Sequence, residues 1–193
     1  MSNAHDLPTL SCETQGEWEA WLATHHADTH VVWLKFAKKA AGTPSVSYAE
    51  AVESALCYGW IDGQSASLDG THWRQRFTPR RPKSVWSRVN REKAEALIAA
   101  GRMQPAGLRQ VELAKADGRW DAAYDSQSTI EVPADLQRAL DVHPAAKAFF
   151  ATLDSRNRYA ILYRIQTAKK SETRSARIEK FVTMLAQGQK IYP

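Results

Sequence analysis

Residues 74–91 have the side-chain types needed to bind an anion. This segment holds seven Lys and Arg residues and no Asp or Glu, and Trp73 and Trp86 flank or interrupt it. Guanidinium groups bind phosphate or carboxylate through paired N–H donors. Pro79 and Pro82 stiffen the loop between them, which lowers the entropic cost of holding these donors in place. We therefore predict a pocket for a small anionic ligand such as a nucleotide, a sugar phosphate or another acidic metabolite.

The predicted ligand-binding residues divide into three roles. Cationic side chains hold the anion, and they are Arg76, Arg80, Arg81 and Lys83. Tryptophan side chains wall the pocket, and they are Trp60 and Trp86. Polar side chains orient the ligand, and they are Ser84, Ser87 and Asn90. Asn90 can also cap the helix that follows, whose N-terminus would add backbone N–H donors to the site.

Two other interpretations fit the same segment. Residues 1–73 carry a net charge of −6 and residues 74–193 a net charge of +11, so the arginines could pair with acidic residues of the first part. Alternatively, a basic stretch interleaved with aromatic rings can bind nucleic acid or dock an acidic protein partner. The chain has no helix-turn-helix, zinc-finger or RRM signature. A concave site with converging arginines would favour the small ligand, and a flat basic stripe would favour a nucleic-acid or protein surface.

Cys57 and Asp62 are the candidate reacting groups if the pocket belongs to an enzyme. Cys57 stands near the end of a predicted helix, where the helix dipole disfavours a thiolate, and no histidine is near it in sequence. A buried, inert thiol is therefore the simpler interpretation. Asp62 precedes Gly63 and could orient an arginine or act as a base, although a turn explains the same pair of residues. The sequence leaves open whether the protein is an enzyme.

The sequence indicates no metal site and no cofactor. His26 and His30 have the i,i+4 spacing that can hold zinc on a helix, but the helix should end near Asp28 and no third ligand is evident. The Gly-rich phosphate-binding loops, the serine-hydrolase elbow and the zinc-protease motif are all missing from the chain.

Strand patterns come early in the chain and helical patterns come late, which predicts an α+β fold with a small antiparallel sheet and packed helices. Residues 72–78 alternate, with Trp73, Gln75 and Phe77 on one face of a strand. Thr14 with Glu17, and Ser47 with Glu50, read as capping boxes that begin two helices. The polar segment 117–129 predicts a linker, so we expect an α+β domain over residues 1–125 and a helical C-terminal region over residues 126–193, either separate or within one continuous domain.

Three stretches together resemble the bacterial YdeI/OmpD-associated, or bacteriocin-protection, family. They are residues 50–64 (EAVESALCYGWIDGQ), residues 75–90 (QRFTPRRPKSVWSRVN) and residues 168–174 (AKKSETR), the last followed by a terminal helix. The resemblance extends from about Trp18 to Leu185. It implies a bacterial protein linked to stress or bacteriocin tolerance and to an outer-membrane porin. It implies no particular reaction and no catalytic residues.

The sequence also carries expectations about location. Cys12 and Cys57 are the only cysteines, and they do not form a C-x-x-C pair, which is typical of a reducing compartment. No apolar run approaches the roughly 18 residues of a membrane helix, and residues 1–10 lack the features of a signal peptide. We therefore expect a cytoplasmic protein that does not insert into a membrane. The sequence does not fix a protein partner or an oligomeric state.

Overall fold

The computed structural model describes residues 9–193, which divide into two compact units. The first unit consists of the residues up to Val85 together with Asn90–Asp121. The second unit consists of Trp86–Val89 together with Ala122–Pro193. The chain therefore enters the second unit briefly, returns to the first, and then completes the second.

The first unit combines a small sheet with helices, which confirms the predicted α+β class. Its strands are β1 (Thr9–Ser11), β2 (Val32–Ala37), β3 (Trp60–Ser67) and β4 (His72–Pro79). Its helices are α1 (Gln15–His25), α2 (Tyr48–Cys57), α3 (Arg88–Ala99) and α4 (Pro105–Ala116). The first two residues of α3 belong to the second unit. A single 3-10 turn, Lys39–Ala41, follows β2.

The sheet is mixed, whereas the sequence predicted an antiparallel one. Its strand order is β1-β2-β4-β3, and β1 pairs parallel with β2 while the other two pairings are antiparallel. Parallel neighbours need a crossover connection, and α1 provides it between β1 and β2. The strand β1 has only three residues, too few to show an alternating pattern in the sequence.

The two faces of the sheet differ in character. Leu34 of β2 pairs with Gln75 of β4, and directly paired residues share a face. This face is buried, and the ring of Phe77 lies 5.5 Å from the Trp18 ring of α1. The predicted alternation of β4 is confirmed, because Gln75 and Phe77 are buried while Arg74 and Arg76 on the opposite face are only partly buried.

The two predicted capping boxes differ in outcome. At α2 the box is complete, because the Ser47 hydroxyl accepts from the Glu50 N–H and the Glu50 carboxylate accepts from the Ser47 N–H. At α1 the Thr14 hydroxyl accepts from the Glu17 N–H, but the Glu17 carboxylate accepts from the N–H of Glu13, one residue before the cap. The helix starts are nevertheless where the sequence placed them.

Close contact between α4 and the end of α2 depends on Gly107. A Cβ atom at this position would lie 2.2 Å from the carbonyl oxygen of Cys57 and 2.6 Å from that of Leu56. Only glycine allows the helix backbone to approach these carbonyls so closely. The Gln104 N–H donates to the same Cys57 carbonyl at 3.1 Å, so the start of α4 is held against the end of α2.

Four helices form most of the second unit between residues 134 and 186. They are α5 (Ala134–Asp141), α6 (Pro144–Thr152), α7 (Ser155–Gln166) and α8 (Ser171–Ala186). Their apolar faces form one core that includes Leu136, Phe150, Ile161 and Phe181. At its edge, Arg174 of α8 forms a two-point ion pair with Asp135 of α5, at 2.6 and 2.9 Å.

Candidate functional site

The residues of the predicted anion site are distributed over both units. Those in the first unit lie on the sheet, on the loop after β4 or in the first turn of α3, and they are Trp60, Arg76, Arg80, Arg81, Lys83, Ser84 and Asn90. Those in the second unit are Trp86 and Ser87. The segment 74–91 is therefore a strand, a loop and the start of a helix rather than one continuous loop.

The loop after β4 is closed by its own hydrogen bonds. Arg80 is 5% exposed, its N–H donates to the Gly59 carbonyl at 2.9 Å, and its Nη2 donates to the Val85 carbonyl at 3.1 Å. The Ser84 hydroxyl accepts from the Arg81 N–H at 3.0 Å. Arg81 and Lys83 are exposed, so in the first unit these two cations face solvent while Arg80 and Ser84 hold the loop together.

The two tryptophans expected to wall the pocket are fully buried. Trp60 is 0% exposed, and its indole N–H donates to the His26 carbonyl at 3.2 Å. Trp86 is 1% exposed, and its carbonyl accepts from the Tyr124 N–H at 3.0 Å. Asn90 lies inside α3, because the helix begins at Arg88, three residues before the start that a cap at Asn90 predicts.

The Cys57 thiol is buried and free, and Asp62 has a structural partner. Burial raises the pKa of the Cys57 thiol to about 11 despite the nearby Arg102, so the thiol is protonated at neutral pH. The carboxylate of Asp62 accepts from the Tyr48 hydroxyl at 2.7 Å. Burial, reinforced by this hydrogen bond, raises the pKa of Tyr48, so its phenol stays neutral.

Glu19 and Glu53 of the first unit pair with cations outside the segment 74–91. Arg102 contacts Glu19 at 2.9 Å and Glu53 at 3.6 Å, and Lys93 contacts Glu53 at 2.8 Å. These side chains are roughly one third exposed, so each pair contributes little to stability on its own. Glu19 and Glu53 thus already have cationic partners.

Three cationic side chains and one tryptophan lie on the sheet face opposite Leu34 and Gln75. Lys35 of β2 pairs in register with Arg74 of β4, and Trp33 of β2 pairs with Arg76 of β4. The Arg74 guanidinium lies 4.4 Å from the centre of the Trp33 ring, a cation–π contact, and donates to the Thr9 hydroxyl at 3.3 Å. We call Trp33, Lys35, Arg74 and Arg76 the basic sheet face.

Two hydrogen-bond donors of the basic sheet face have no acceptor. Trp33 is 6% exposed, and both its indole Nε1 and the Nε of Arg76 are buried without a hydrogen-bond partner in the structure as described. A buried donor without an acceptor costs about 1–3 kcal/mol. Because Trp33 and Arg76 are direct neighbours across β2 and β4, the Cβ atoms of such a pair lie about 4.5–5.5 Å apart. One acceptor group could therefore satisfy both donors.

Comparison with protein-family models assigns both parts of the chain. A model described as a domain of unknown function, DUF8412, matches residues 10–110, which is 101 of the 193 residues. A model described as bacteriocin-protection, YdeI or OmpD-associated matches residues 129–188. The chain belongs to the DUF8412 family, and its residues 129–188 are similar to the YdeI/OmpD-associated family. Neither the curated proteins nor the solved structures gave a match.

The two family matches separate the stretches on which the resemblance rested. The stretch 168–174 lies inside the YdeI/OmpD-associated match, and the helices α5, α6, α7 and α8 fall within the same residues 129–188. The stretches 50–64 and 75–90 lie inside the DUF8412 match. The basic sheet face therefore belongs to the DUF8412 part of the chain, and the helical region to the YdeI/OmpD-associated part.

The described residues also bear on membranes and metals. Among residues 9–193, no helix combines the length and the apolar composition needed to span a bilayer. Over the same residues, no three His, Cys, Asp or Glu side chains are grouped as a metal ion would require.

Sequence reasoning placed Arg76 in the site but missed Trp33 and Lys35. These two residues lie on β2, about 40 positions before Arg76 and Arg74, and only the register of β2 with β4 brings them together. The signal available in the sequence was the two-residue period of a strand, which puts Trp33 and Lys35 on one face of β2, and Arg74 and Arg76 on one face of β4.

Proposed function

We propose that this YdeI/OmpD-associated protein binds a small anionic ligand, bearing a phosphate or a carboxylate, at the basic sheet face. Arg76 and Trp33 donate hydrogen bonds to the anion, and Lys35 and Arg74 add positive charge. The observation that carries the proposal is the pair of neighbouring buried donors, Trp33 Nε1 and Arg76 Nε, that lack an acceptor. An anionic oxygen is the acceptor that a charged donor binds most strongly.

A small ligand suits this face better than a nucleic acid does. Proteins bind single strands by stacking bases on exposed aromatic rings. The Trp33 ring is covered by the Arg74 guanidinium, and Trp60 and Trp86 are buried. The rings near the cations are thus unavailable as a stacking platform, which favours a ligand recognised by its charge. Nucleic-acid binding is an outcome of the test below.

The loop after β4 has a supporting role in the proposal. Arg81 and Lys83 are exposed, and we assign them the attraction of the anion from a distance rather than direct binding. Arg80 and Ser84 keep the loop closed, next to the end of the strand that carries Arg76. The proposed site thus combines two exposed cations on the loop, Arg81 and Lys83, with the two hydrogen-bond donors of Trp33 and Arg76.

The family match and the thiols support a physiological setting for the protein. The family that matches residues 129–188 is described by bacteriocin protection, and we propose that this chain takes part in bacteriocin or stress tolerance. Cys12 and Cys57 are both free and buried, which supports a reducing compartment, and we place the protein in the cytoplasm. No reaction is proposed, since the buried Cys57 thiol is protonated at neutral pH and Asp62 is hydrogen-bonded to Tyr48.

Calorimetric titration with inorganic phosphate, citrate and a short RNA at low salt tests the proposal. We expect one of the small anions to bind and Arg76→Gln to weaken that binding at least about tenfold, the effect of losing about 1.4 kcal/mol. The matched control is Arg81→Gln, which removes the same charge from the exposed loop and should change the affinity by less than about threefold.

Three results would contradict the proposal. They are the absence of small-anion binding, an equal loss in Arg76→Gln and Arg81→Gln, and binding of RNA alone. The last of these would assign the basic residues to a nucleic-acid surface, whose affinity should fall steeply with added salt.

A further inference from the structure

One face of α7 is left outside the core of the second unit. Ile161, Leu162 and Ile165 of this helix are buried in the core. Residues at positions 156, 159, 160, 163 and 164 follow the i, i+3, i+4, i+7, i+8 spacing of a single different face. That face lines a surface cavity of about 330 Å³, formed by Gln127, Arg156, Tyr159, Tyr163, Arg164 and Tyr192 around Ala160. We call it the tyrosine–arginine pocket.

Aromatic rings form the middle of this pocket. The rings of Tyr159 and Tyr163 are 5.7 Å apart, and Tyr124 meets Tyr163 edge-on at 5.0 Å. The Tyr159 hydroxyl donates to the Asp125 carbonyl at 3.3 Å, which fixes the orientation of its ring. Ala160 also lines the cavity and contributes only a methyl group, which leaves space beside the two rings.

Both ends of the pocket carry a guanidinium group. Arg156 and Arg164 are eight residues apart on α7, which corresponds to about 12 Å along a helix. Arg156 lies over the Tyr192 ring at 4.2 Å, and Arg164 Nη1 donates to the Ala160 carbonyl at 2.8 Å. Neither arginine forms an ion pair with a carboxylate among residues 9–193. Their charge is therefore available to an anion.

The wall formed by Tyr192 is held in place by a buried amide. Asn157 is 1% exposed, and its side chain accepts from the Tyr192 N–H at 2.9 Å and donates to the Tyr192 carbonyl at 3.2 Å. The Asp154 carboxylate, which caps α7, accepts from the same amide at 3.2 Å. The pocket is thus formed before a ligand arrives, which reduces the entropic cost of binding.

We infer that the tyrosine–arginine pocket is a second ligand site, which takes a planar aromatic ring bearing one anionic group, such as a nucleoside monophosphate. The ring stacks against the Tyr159 and Tyr163 rings where they line the cavity, as bases stack on aromatic side chains. The anionic group binds Arg156 or Arg164 through paired donors. The cavity volume is at the lower end of the range for small-molecule sites. No residue of this site belongs to the basic sheet face.

Titration of the full chain with three related probes tests the inference. Adenosine 5′-monophosphate carries both the ring and the anion, adenosine the ring alone, and ribose 5-phosphate the anion alone. We expect the monophosphate to bind at least about tenfold more tightly than either fragment. Tyr163→Leu should weaken the monophosphate and adenosine together, while Tyr163→Phe, which keeps the ring, should change neither by more than about twofold.

Charge variants identify where the anion binds. Arg156→Gln and Arg164→Gln each remove one guanidinium, and we expect one of them to weaken the monophosphate at least about tenfold without weakening adenosine. The matched control, Arg138→Gln, removes an exposed charge from α5 and should have no effect. Arg76→Gln should also have none, which separates this site from the basic sheet face. Equal binding of the monophosphate and ribose 5-phosphate, or an equal loss in Arg138→Gln, would overturn the inference.

Discussion

The basic sheet face and the tyrosine–arginine pocket present their arginines in different ways. On the sheet, the register of β2 and β4 places buried donors side by side and leaves Trp33 Nε1 and Arg76 Nε without an acceptor. On α7, Arg156 lies over a tyrosine ring and Arg164 donates to a carbonyl, and the two line an open cavity. The first site lacks a hydrogen-bond partner, and the second has an empty volume. We therefore expect charge to govern recognition on the sheet and ring shape to govern it on the helix.

The largest loss of stability is expected from Gly107→Ala, which disturbs the packing of α4 against α2 in the first unit. Gly107→Ala places a methyl group 2.2 Å from the Cys57 carbonyl, so α4 must shift away from α2. Overpacking of this kind costs about 1–3 kcal/mol in the free energy of unfolding. Urea denaturation followed by tryptophan fluorescence measures this loss. In the control, Gly16→Ala, the new methyl lies 4.0 Å from its nearest neighbour, and we expect unchanged or slightly higher stability.

An equal stability of Gly107→Ala and Gly16→Ala would contradict the packing of α4 against α2. It would also weaken the comparison of the two sites, because we expect the buried donors of Trp33 and Arg76 to need a rigid first unit. Phosphate affinity of Gly107→Ala, measured below its unfolding midpoint, shows how far the basic sheet face depends on that support.

An intermediate loss of stability is expected from Asp135→Asn in the second unit, and this loss depends on pH. The hydrogen bonds and charge of Arg174 hold the pKa of Asp135 below its usual range. A carboxyl group whose pKa is lowered by folding stabilises the fold above its unfolded pKa of about 3.9 and loses that contribution as the pH falls. Asp135→Asn should therefore lower the urea midpoint at pH 7, and the difference from the parent chain should shrink as the pH approaches 3.

Glu179→Gln is the matched control for this pH dependence, because Glu179 is exposed on α8. Its urea midpoint should follow that of the parent chain across the same pH range. A constant difference between the parent and Asp135→Asn from pH 7 to pH 3 would show that the ion pair with Arg174 contributes no pH-dependent stability.

The smallest effect on stability is expected at Trp33. Trp33→Phe keeps an aromatic ring under the Arg74 guanidinium and removes a donor that has no acceptor. Because the lost group makes no hydrogen bond, the free energy of unfolding should change by less than about 1 kcal/mol. Thermal denaturation without ligand measures this change. A loss larger than the cost of the packed volume removed would mean that the indole N–H has a partner in the folded chain.

The sequence predicted the parts of the fold that local patterns determine. The α+β class, the helix start at Ser47 and the alternation along β4 all depend on neighbouring residues, and all three are confirmed. The strand β1 and its parallel pairing escaped prediction because three residues carry no pattern. The alternation in β4 likewise placed Arg76 on the face opposite Gln75 and Phe77.

The composition of the basic sheet face depends on contacts distant in sequence. Nothing local to Trp33 or Lys35 shows that β2 pairs with β4 in the register that joins them to Arg76 and Arg74. The burial of Trp60 also depends on contacts distant in sequence, because by its sequence alone a tryptophan can line a pocket or fill a core. Only the packed structure decides between these, and it buries the ring with its N–H bound to His26.

The indole N–H resonance of Trp33 tests the central proposal most directly. This resonance can be assigned in a proton–nitrogen NMR spectrum as the one lost in Trp33→Phe. When the small anion found by calorimetry is added, we expect the resonance to move downfield and to saturate at the calorimetric affinity, because Nε1 gains its acceptor. The same titration of Arg76→Gln should leave it unmoved. If the anion saturates the parent chain and the Trp33 resonance stays in place, the ligand binds elsewhere and the basic sheet face is not the site.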